Sequence, residues 1–119
     1  IIVVTNQSGI ERGYYSLIDF YNVSNYMIEE FAKINIDIEI RACPHLPSKN
    51  CFYRKPNIGM VNDRRDKNDL LIGDQELDML TAKKAGIKNR WLISQNIISS
   101  LATKTFKTHA DLIFHLKIN

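Results

Sequence analysis

The chain has 119 residues, of which 45% are hydrophobic, and a net charge of +3. This composition predicts one globular domain with a single core and excludes a disordered tail. The positive charge is mixed with acidic residues and forms no basic block, which argues against a nucleic-acid partner. The start does not resemble a signal peptide and no apolar run approaches the roughly 20 residues of a membrane span, so we expect a cytoplasmic protein without a membrane partner.

Strand and helix patterns alternate along the first part of the chain. Residues 1–4 are a continuous β-branched run, typical of a parallel strand buried on both faces. Ser16 is a candidate N-cap for an amphipathic helix. The apolar positions of this helix are Leu17, Phe20, Tyr21, Met27, Ile28, Phe31 and Ile34. Residues 36–42 alternate apolar and charged side chains, which predicts a second strand nearer the edge of the sheet.

The rest of the chain continues this alternation. The predicted elements are a short helix over 59–66, a strand over 70–72, a helix over 78–85 and a strand over 90–94. Gly86 ends the second of these helices. A final amphipathic segment begins at Thr108 or His109. Such alternation predicts an α/β fold with a doubly wound parallel sheet, whose ligands bind at the carboxyl ends of the strands.

Three stretches of the sequence carry polar residues suited to chemistry. An apolar run ends in Thr-Asn-Gln-Ser-Gly at residues 5–9, and another ends in Gly-Asp at residues 73–74. Between them, residues 43–56 run from cysteine and histidine into an Arg-Lys-Pro sequence. A strand that delivers a hydroxyl, a loop that delivers a lysine and a strand that delivers a carboxylate are parts of a Mg²⁺-assisted phosphoryl-transfer site.

The candidate catalytic residues are Thr5, Lys55 and Asp74. The Thr5 hydroxyl and the backbone N–H groups after it can converge on a phosphate oxygen, although a simple Thr-Asn turn is the alternative. Lys55 offers a point charge to the phosphoryl group, and Arg54 a planar fork for a second phosphate or for sugar oxygens. Asp74 follows a buried strand and is a candidate Mg²⁺ ligand. Asp78 is either a supporting partner of this site or an acid favoured by a helix N-terminus.

These three stretches, in this order, resemble motifs two, three and four of the haloacid dehalogenase (HAD) phosphatases. They are similar to the branch that contains heptose-1,7-bisphosphate phosphatase and the histidinol-phosphate phosphatase domain, and the resemblance covers nearly the whole chain. It implies a HAD-like Rossmannoid fold with three α/β/α layers and no large cap domain. It also implies a Mg²⁺-dependent phosphomonoesterase that acts on a small phosphorylated metabolite and is a monomer when full-length.

The resemblance also assigns binding residues. Those for substrate are Thr5, Asn6, Gln7, Ser8, Arg54, Lys55 and Gln75. Two cysteines with a histidine between them fit a metal loop in a reducing compartment better than a disulfide. Cys43, His45 and Cys51 match three of the four zinc ligands of the resembled loop, with Tyr53 at the fourth position. A phenol is a poor zinc ligand, so this site holds either zinc with a water or no metal and two reduced thiols.

The resemblance leaves two substrates open. Residues 7–13 and 58–60 resemble the heptose-bisphosphate enzyme, whereas the short spacing from His45 to Cys51 resembles the histidinol-phosphate domain. We predict a heptose bisphosphate, because the first two stretches lie nearer the substrate.

One HAD motif is missing from this sequence. HAD phosphatases attack phosphorus with the first Asp of a D-x-D motif at the end of a central strand, forming an aspartyl-phosphate. No D-x-D motif follows an apolar strand here. We therefore expect residues 1–119 to form a single HAD-like domain that is incomplete at its N-terminus and inactive by itself. The alternative from another class is a non-catalytic remnant that binds a phosphorylated ligand or a partner.

Overall fold

The computed structural model describes residues 1–118. Within this range the chain divides into two compact units, Ile1–Arg54 and a second unit that begins at Lys55. Each unit contains parallel strands together with α-helix, which confirms the α/β class predicted from the sequence. Among the described residues, no helix is both long and apolar enough to cross a membrane.

The first unit is built on two parallel strands, β1 (Ile2–Asn6) and β2 (Glu39–Cys43), connected through helix α1 (Leu17–Ala32). Parallel strands need a crossover connection, and α1 supplies it. Thr5 lies opposite Ala42 in the register and Asn6 opposite Cys43. The carboxyl ends of both strands therefore meet at one edge of the sheet, where the two polar loops of this unit begin.

Helix α1 begins at the predicted N-cap. The Ser16 hydroxyl accepts a hydrogen bond from the Asp19 backbone N–H at 3.0 Å, and the Asp19 carboxylate accepts one from the Ser16 N–H at 2.9 Å. This reciprocal pair is a capping box, which satisfies two N–H groups that the first turn leaves without helical partners. The helix ends at Ala32, so that Ile34 lies outside it.

The predicted apolar face of α1 is only partly buried. Ser24 is the buried residue of the helix, and Phe20 and Met27 are half-buried on either side of it. Other predicted face residues are 36% to 55% exposed, namely Leu17, Tyr21, Ile28 and Phe31. Two strands about 4.8 Å apart form a surface narrower than a helix about 10 Å across. The sheet of this unit therefore covers only part of the apolar face of α1.

The second unit contains a three-stranded parallel sheet in the order β3 (Leu70–Gly73), β4 (Asn89–Ile93) and β5 (Lys104–Phe106). Its helices are α2 (Glu76–Lys84) and α3 (His109–Ile118). The core of this unit is formed by buried side chains from both the sheet and the helices, namely Leu71, Met79, Ala82, Ile87, Leu92 and Leu112. This core holds β3 and the start of α2 in place, and the Gly-Asp sequence lies between them.

Two expectations for the second unit need correction, and one of its strands was not expected. The helix predicted over 59–66 is only a short 3-10 turn, Gly59–Val61, because the residues that follow are polar and charged and give a helix no apolar face. Helix α2 begins at Glu76, two residues earlier than predicted. Strand β5 was not predicted, since a Lys-Thr-Phe segment carries too few residues to show an alternating pattern.

The capping box of α1 supports a stability prediction. We expect Ser16→Ala to lower the free energy of unfolding by about 1 kcal/mol, because the Asp19 N–H loses its acceptor. Urea unfolding followed by circular dichroism measures this change. Ser100→Ala, at another exposed serine, is the matched control and should change stability by less than about 0.5 kcal/mol. An equal effect of the two substitutions would contradict the role of the cap.

Candidate active site

The predicted phosphate-binding loop is ordered by a chain of side-chain hydrogen bonds. The Gln7 amide donates to the Thr5 hydroxyl at 2.9 Å, and the Tyr15 hydroxyl donates to the Gln7 carbonyl oxygen. Gly9 admits the Tyr15 ring, since a Cβ at this glycine would lie 2.3 Å from the ring carbon Cε1. Because Thr5 accepts from Gln7, its own O–H keeps its capacity to donate to a phosphate oxygen.

This loop continues directly from strand β1 and is tied to strand β2. The Gln7 backbone N–H donates to the Cys43 carbonyl at 2.7 Å, which extends the parallel pairing by one residue past Asn6. Ser8 accepts a long hydrogen bond of 3.4 Å from the Arg12 side chain. The predicted substrate-binding residues of this loop therefore lie at the carboxyl end of a strand, as the sequence indicated.

The predicted metal ligands converge in the first unit. The ligand atoms of Cys43, His45 and Cys51 all lie within 4.8 Å of one another. Cys43 Sγ and His45 Nδ1 are 3.6 Å apart, close to the separation of about 3.5 Å that tetrahedral zinc bonds impose on a sulfur and a nitrogen ligand. Three donors of the type that zinc prefers are thus arranged as one site.

Burial affects the chemistry of this cluster. It raises the pKa of the Cys43 thiol above its ordinary value of 9.0, so without a metal this group is a neutral thiol at pH 7. Binding of a divalent cation would therefore release a proton from it. Tyr53, at the fourth position, is 54% exposed and packs its ring edge-on against Phe52 with centroids 5.4 Å apart. Among the His, Cys, Asp and Glu side chains of residues 1–118, the cluster contains Cys43, His45 and Cys51.

The cysteine loop, residues 43–53, is also held by Glu11, a residue that the sequence analysis missed. One Glu11 carboxylate oxygen accepts the Leu46 backbone N–H, and the other contacts the Lys49 ammonium at 2.9 Å. The contact with Lys49, followed by the one with Leu46, lowers the pKa of Glu11 from 4.5, so the carboxylate is charged near neutral pH. A single acid in a turn carries no sequence signature of this role.

Arg54 directly follows the cysteine loop and donates hydrogen bonds to two of its carbonyl groups. Its Nη1 group donates to the His45 carbonyl at 3.3 Å, and its backbone N–H donates to the Cys51 carbonyl at 2.9 Å. The guanidinium, predicted to bind a second phosphate, thus devotes one of its five donors to the loop itself.

In the second unit, Asp78 connects the predicted catalytic residues. The Lys55 ammonium lies 2.6 Å from Asp78 Oδ1, and the two side chains are only 14% and 6% exposed. Asp78 Oδ2 accepts the backbone N–H groups of Asp74 at 3.2 Å and Gln75 at 3.0 Å. Gly73 permits this approach, because a Cβ there would lie 2.4 Å from the Asp78 Cβ. Both alternatives left open by the sequence therefore hold, since Asp78 supports Lys55 and also completes a capping box at the N-terminus of α2.

The exposure of Asp74 suits the metal role predicted for it. It is exposed directly after strand β3, of which Leu71 is the buried residue, and its backbone is fixed through Asp78. A carboxylate oxygen at the end of a strand is the type of ligand that Mg²⁺ prefers. The two acids differ in burial: Asp78 is buried and binds Lys55, whereas Asp74 faces solvent.

Comparisons with known proteins agree with these observations. A family model described as Polynucleotide kinase 3 phosphatase matches residues 1–87. The D-glycero-beta-D-manno-heptose-1,7-bisphosphate 7-phosphatase of Helicobacter pylori is 35% identical over 95% of this chain and 72% of its own length. The Histidine biosynthesis bifunctional protein HisB of Buchnera aphidicola is 33% identical over 98% of this chain and 36% of its own length.

A solved structure is similar over nearly the whole chain. The crystal structure of D,D-heptose 1,7-bisphosphate phosphatase from B. bronchiseptica, complexed with magnesium and phosphate, has a TM-score of 0.75 and 28% identity. The match covers 98% of this chain and 73% of that one. Across several curated heptose-bisphosphate phosphatases, the chain spans 58% to 72% of their length.

These matches confirm the resemblance predicted from the three motifs, including the HAD-like α/β fold. The chain belongs to the HAD phosphatases, a superfamily of phosphoric monoester hydrolases, in the branch that contains the heptose-1,7-bisphosphate phosphatases.

Proposed function

We propose that this protein is a Mg²⁺-dependent phosphomonoesterase that hydrolyses a small sugar bisphosphate of the D-glycero-D-manno-heptose 1,7-bisphosphate type. The observation that carries this proposal is the buried Lys55–Asp78 pair, whose acid also holds the backbone of Asp74 and Gln75. The names and identities of the relatives support the substrate class. Two reduced thiols suit a reducing compartment, and we propose a cytoplasmic monomer.

The second unit supplies charge to the reaction. Lys55 is oriented by Asp78 before substrate binds, so its ammonium requires little reorganisation as negative charge develops on the phosphoryl oxygens. Asp74 would hold Mg²⁺, and the bound cation would neutralise negative charge on those oxygens. Gln75, whose backbone N–H is fixed by Asp78, would contact the substrate from the same loop.

The first unit supplies hydrogen-bond donors to the phosphate. Thr5 would donate its O–H to a phosphate oxygen, while Gln7 keeps the hydroxyl oriented through its own amide. Asn6 and Ser8 would extend this contact. Arg54 would bind the second phosphate of a bisphosphate with the donors that do not serve the His45 carbonyl.

We propose in addition that Cys43, His45 and Cys51 bind Zn²⁺ through three protein donors. The convergence of their ligand atoms within 4.8 Å supports this assignment. Because a phenol such as that of Tyr53 is a poor zinc ligand, the fourth position would take a water molecule.

Histidinol phosphate is the alternative substrate, and the similarity to HisB favours it. A monophosphate gives Arg54 no second phosphate to bind, whereas a bisphosphate does. Comparison of kcat/KM for the two substrates therefore separates these possibilities. A protein that binds both substrates without turnover would be the non-catalytic remnant.

The reaction needs an attacking carboxylate, which HAD phosphatases take from a D-x-D motif. Residues 1–119 contain no such motif. We propose that an Asp from a strand N-terminal to Ile1 acts as the nucleophile and forms the aspartyl-phosphate. A flanking strand would also suit β1, since apolar parallel strands are normally covered by neighbours.

This proposal predicts complementation. Residues 1–119 alone should be poorly soluble and inactive towards phosphate esters with Mg²⁺. Extension by an N-terminal strand that ends in D-x-D, fused or added as a peptide, should restore both solubility and phosphate release. The matched control is the same strand ending in N-x-N, which should restore solubility without turnover. Mg²⁺-dependent turnover by residues 1–119 alone would show that the nucleophile lies within them.

The assigned charges predict a loss of catalytic rate. In the extended protein, Lys55→Ala and Asp74→Asn should each lower kcat by about a hundredfold or more, because each removes charge that stabilises the transition state. Lys83→Ala, on the exposed part of α2, is the control and should leave kcat unchanged. Steady-state phosphate release gives these values, and wild-type turnover by Asp74→Asn would remove Asp74 from the site.

The role assigned to Arg54 predicts a change in substrate preference. Arg54→Ala should raise KM for a sugar bisphosphate about tenfold or more relative to the matching monophosphate, because a charge-assisted contact to the second phosphate is lost. The ratio of the two KM values is the measurement. Equal effects on both substrates would mean that Arg54 serves the loop and not the second phosphate.

A further inference from the structure

Glu11 binds the cysteine loop at two places with one side chain. Its Oε2 accepts the Leu46 N–H, 35 positions along the chain, and its Oε1 contacts the Lys49 ammonium at 2.9 Å. Leu46 directly follows His45, one of the three converging ligands. The carboxylate therefore holds the loop beside the cluster and also three residues further on.

The loop is ordered by further contacts that involve no metal. Its 3-10 turn Pro47–Lys49 is closed by a hydrogen bond from the Lys49 N–H to the Leu46 carbonyl at 3.1 Å. Asn50 follows in the left-handed conformation with φ of 45°, and its N–H donates to the Pro47 carbonyl at 3.1 Å. This turn carries the chain back towards Cys51.

Both ends of the loop are tied as well. The Cys43 carbonyl, at the start of the loop, accepts the Gln7 N–H at 2.7 Å, and the Cys51 carbonyl, near its end, accepts the Arg54 backbone N–H at 2.9 Å. The start, the middle and the end of the loop thus each have a partner within the protein. In a closed four-ligand zinc site, by contrast, the metal itself supplies the folding energy.

We propose that Glu11 is a positioning residue that closes the cysteine loop without metal. Cys43, His45 and Cys51 then form a preformed three-donor site that takes up and releases one thiophilic divalent cation, such as Zn²⁺, while the loop stays folded. The open fourth position makes this cation exchangeable. The inference rests on the zinc binding proposed above for these three donors, but it is independent of the phosphatase chemistry, which phosphate release tests separately.

Amide hydrogen exchange of the non-proline residues in 44–52 tests the closure, with the extended protein measured after chelator treatment and after addition of Zn²⁺. In the wild-type chain, removal of metal should change exchange by less than about threefold, because the Glu11 contacts remain. Glu11→Ala should speed exchange of the metal-free loop about tenfold or more. Glu11→Gln should give an intermediate effect, since its amide oxygen still accepts from Leu46, and Lys49→Ala should resemble it.

The matched control for Glu11→Gln is Glu30→Gln, which breaks an exposed ion pair of 2.6 Å between Glu30 of helix α1 and Lys33, the residue that follows the helix. It should leave exchange of the loop unchanged. Protection of the α1 amides should be the same in the wild-type protein and in the Glu11 and Lys49 variants, which separates positioning of the loop from a general loss of stability. If the wild-type loop unfolds on chelation, or if Glu11→Ala also removes protection from α1, the proposal is wrong.

Metal binding provides the second readout. The wild-type chain should bind one Zn²⁺ per molecule and release it to excess chelator, and Tyr53→Cys should slow this release about tenfold or more by supplying a fourth ligand. Well under one Zn²⁺ at saturation would overturn the three-donor site. Equal release rates for the wild-type chain and Tyr53→Cys would overturn the open fourth position.

Discussion

The Asp78 carboxylate is the interaction on which the second unit's site depends. One of its oxygens binds the Lys55 ammonium and the other accepts two consecutive backbone N–H groups, those of Asp74 and Gln75. A buried ion pair must offset the loss of hydration of both charges, and the two extra hydrogen bonds contribute to this. Removal of one partner leaves an uncompensated buried charge, which typically costs about 3–5 kcal/mol.

This arrangement also explains the glycine before Asp74. The Asp78 side chain approaches the backbone of Gly73 so closely that a Cβ at this position would overlap it. Gly73, Asp78 and Lys55 thus restrict one another's positions. The result is a lysine whose charge the protein itself fixes in position, as the catalytic role proposed for Lys55 requires.

A second carboxylate performs a comparable task in the first unit. Glu11 joins a turn near the predicted phosphate-binding loop to the cysteine loop, through one backbone N–H and one ammonium. Both acids therefore organise loops that follow parallel strands. Asp78 is almost fully buried, whereas Glu11 remains partly open to solvent, so screening by water and salt weakens the Glu11 contacts more.

The sequence by itself determined the α/β class, most of the strands and helices, and the residue types of the site. Apolar β-branched runs, the Ser16 cap and Gly86 are local signals, since propensity and capping act within a few residues. The ordered motifs also sufficed to identify the family. Three donors at Cys43, His45 and Cys51 were likewise readable, because metal ligands must be of particular chemical types.

Only the tertiary structure decided which side chains support the site. The pairing of Lys55 with Asp78 joins residues 23 positions apart, and the contact from Glu11 to Leu46 joins residues 35 apart. No local pattern encodes such contacts, because they depend on where the strands bring their loops. The sequence also could not show how much of the apolar face of α1 is buried. Burial depends on the surface that a helix packs against and not on the helix's own periodicity.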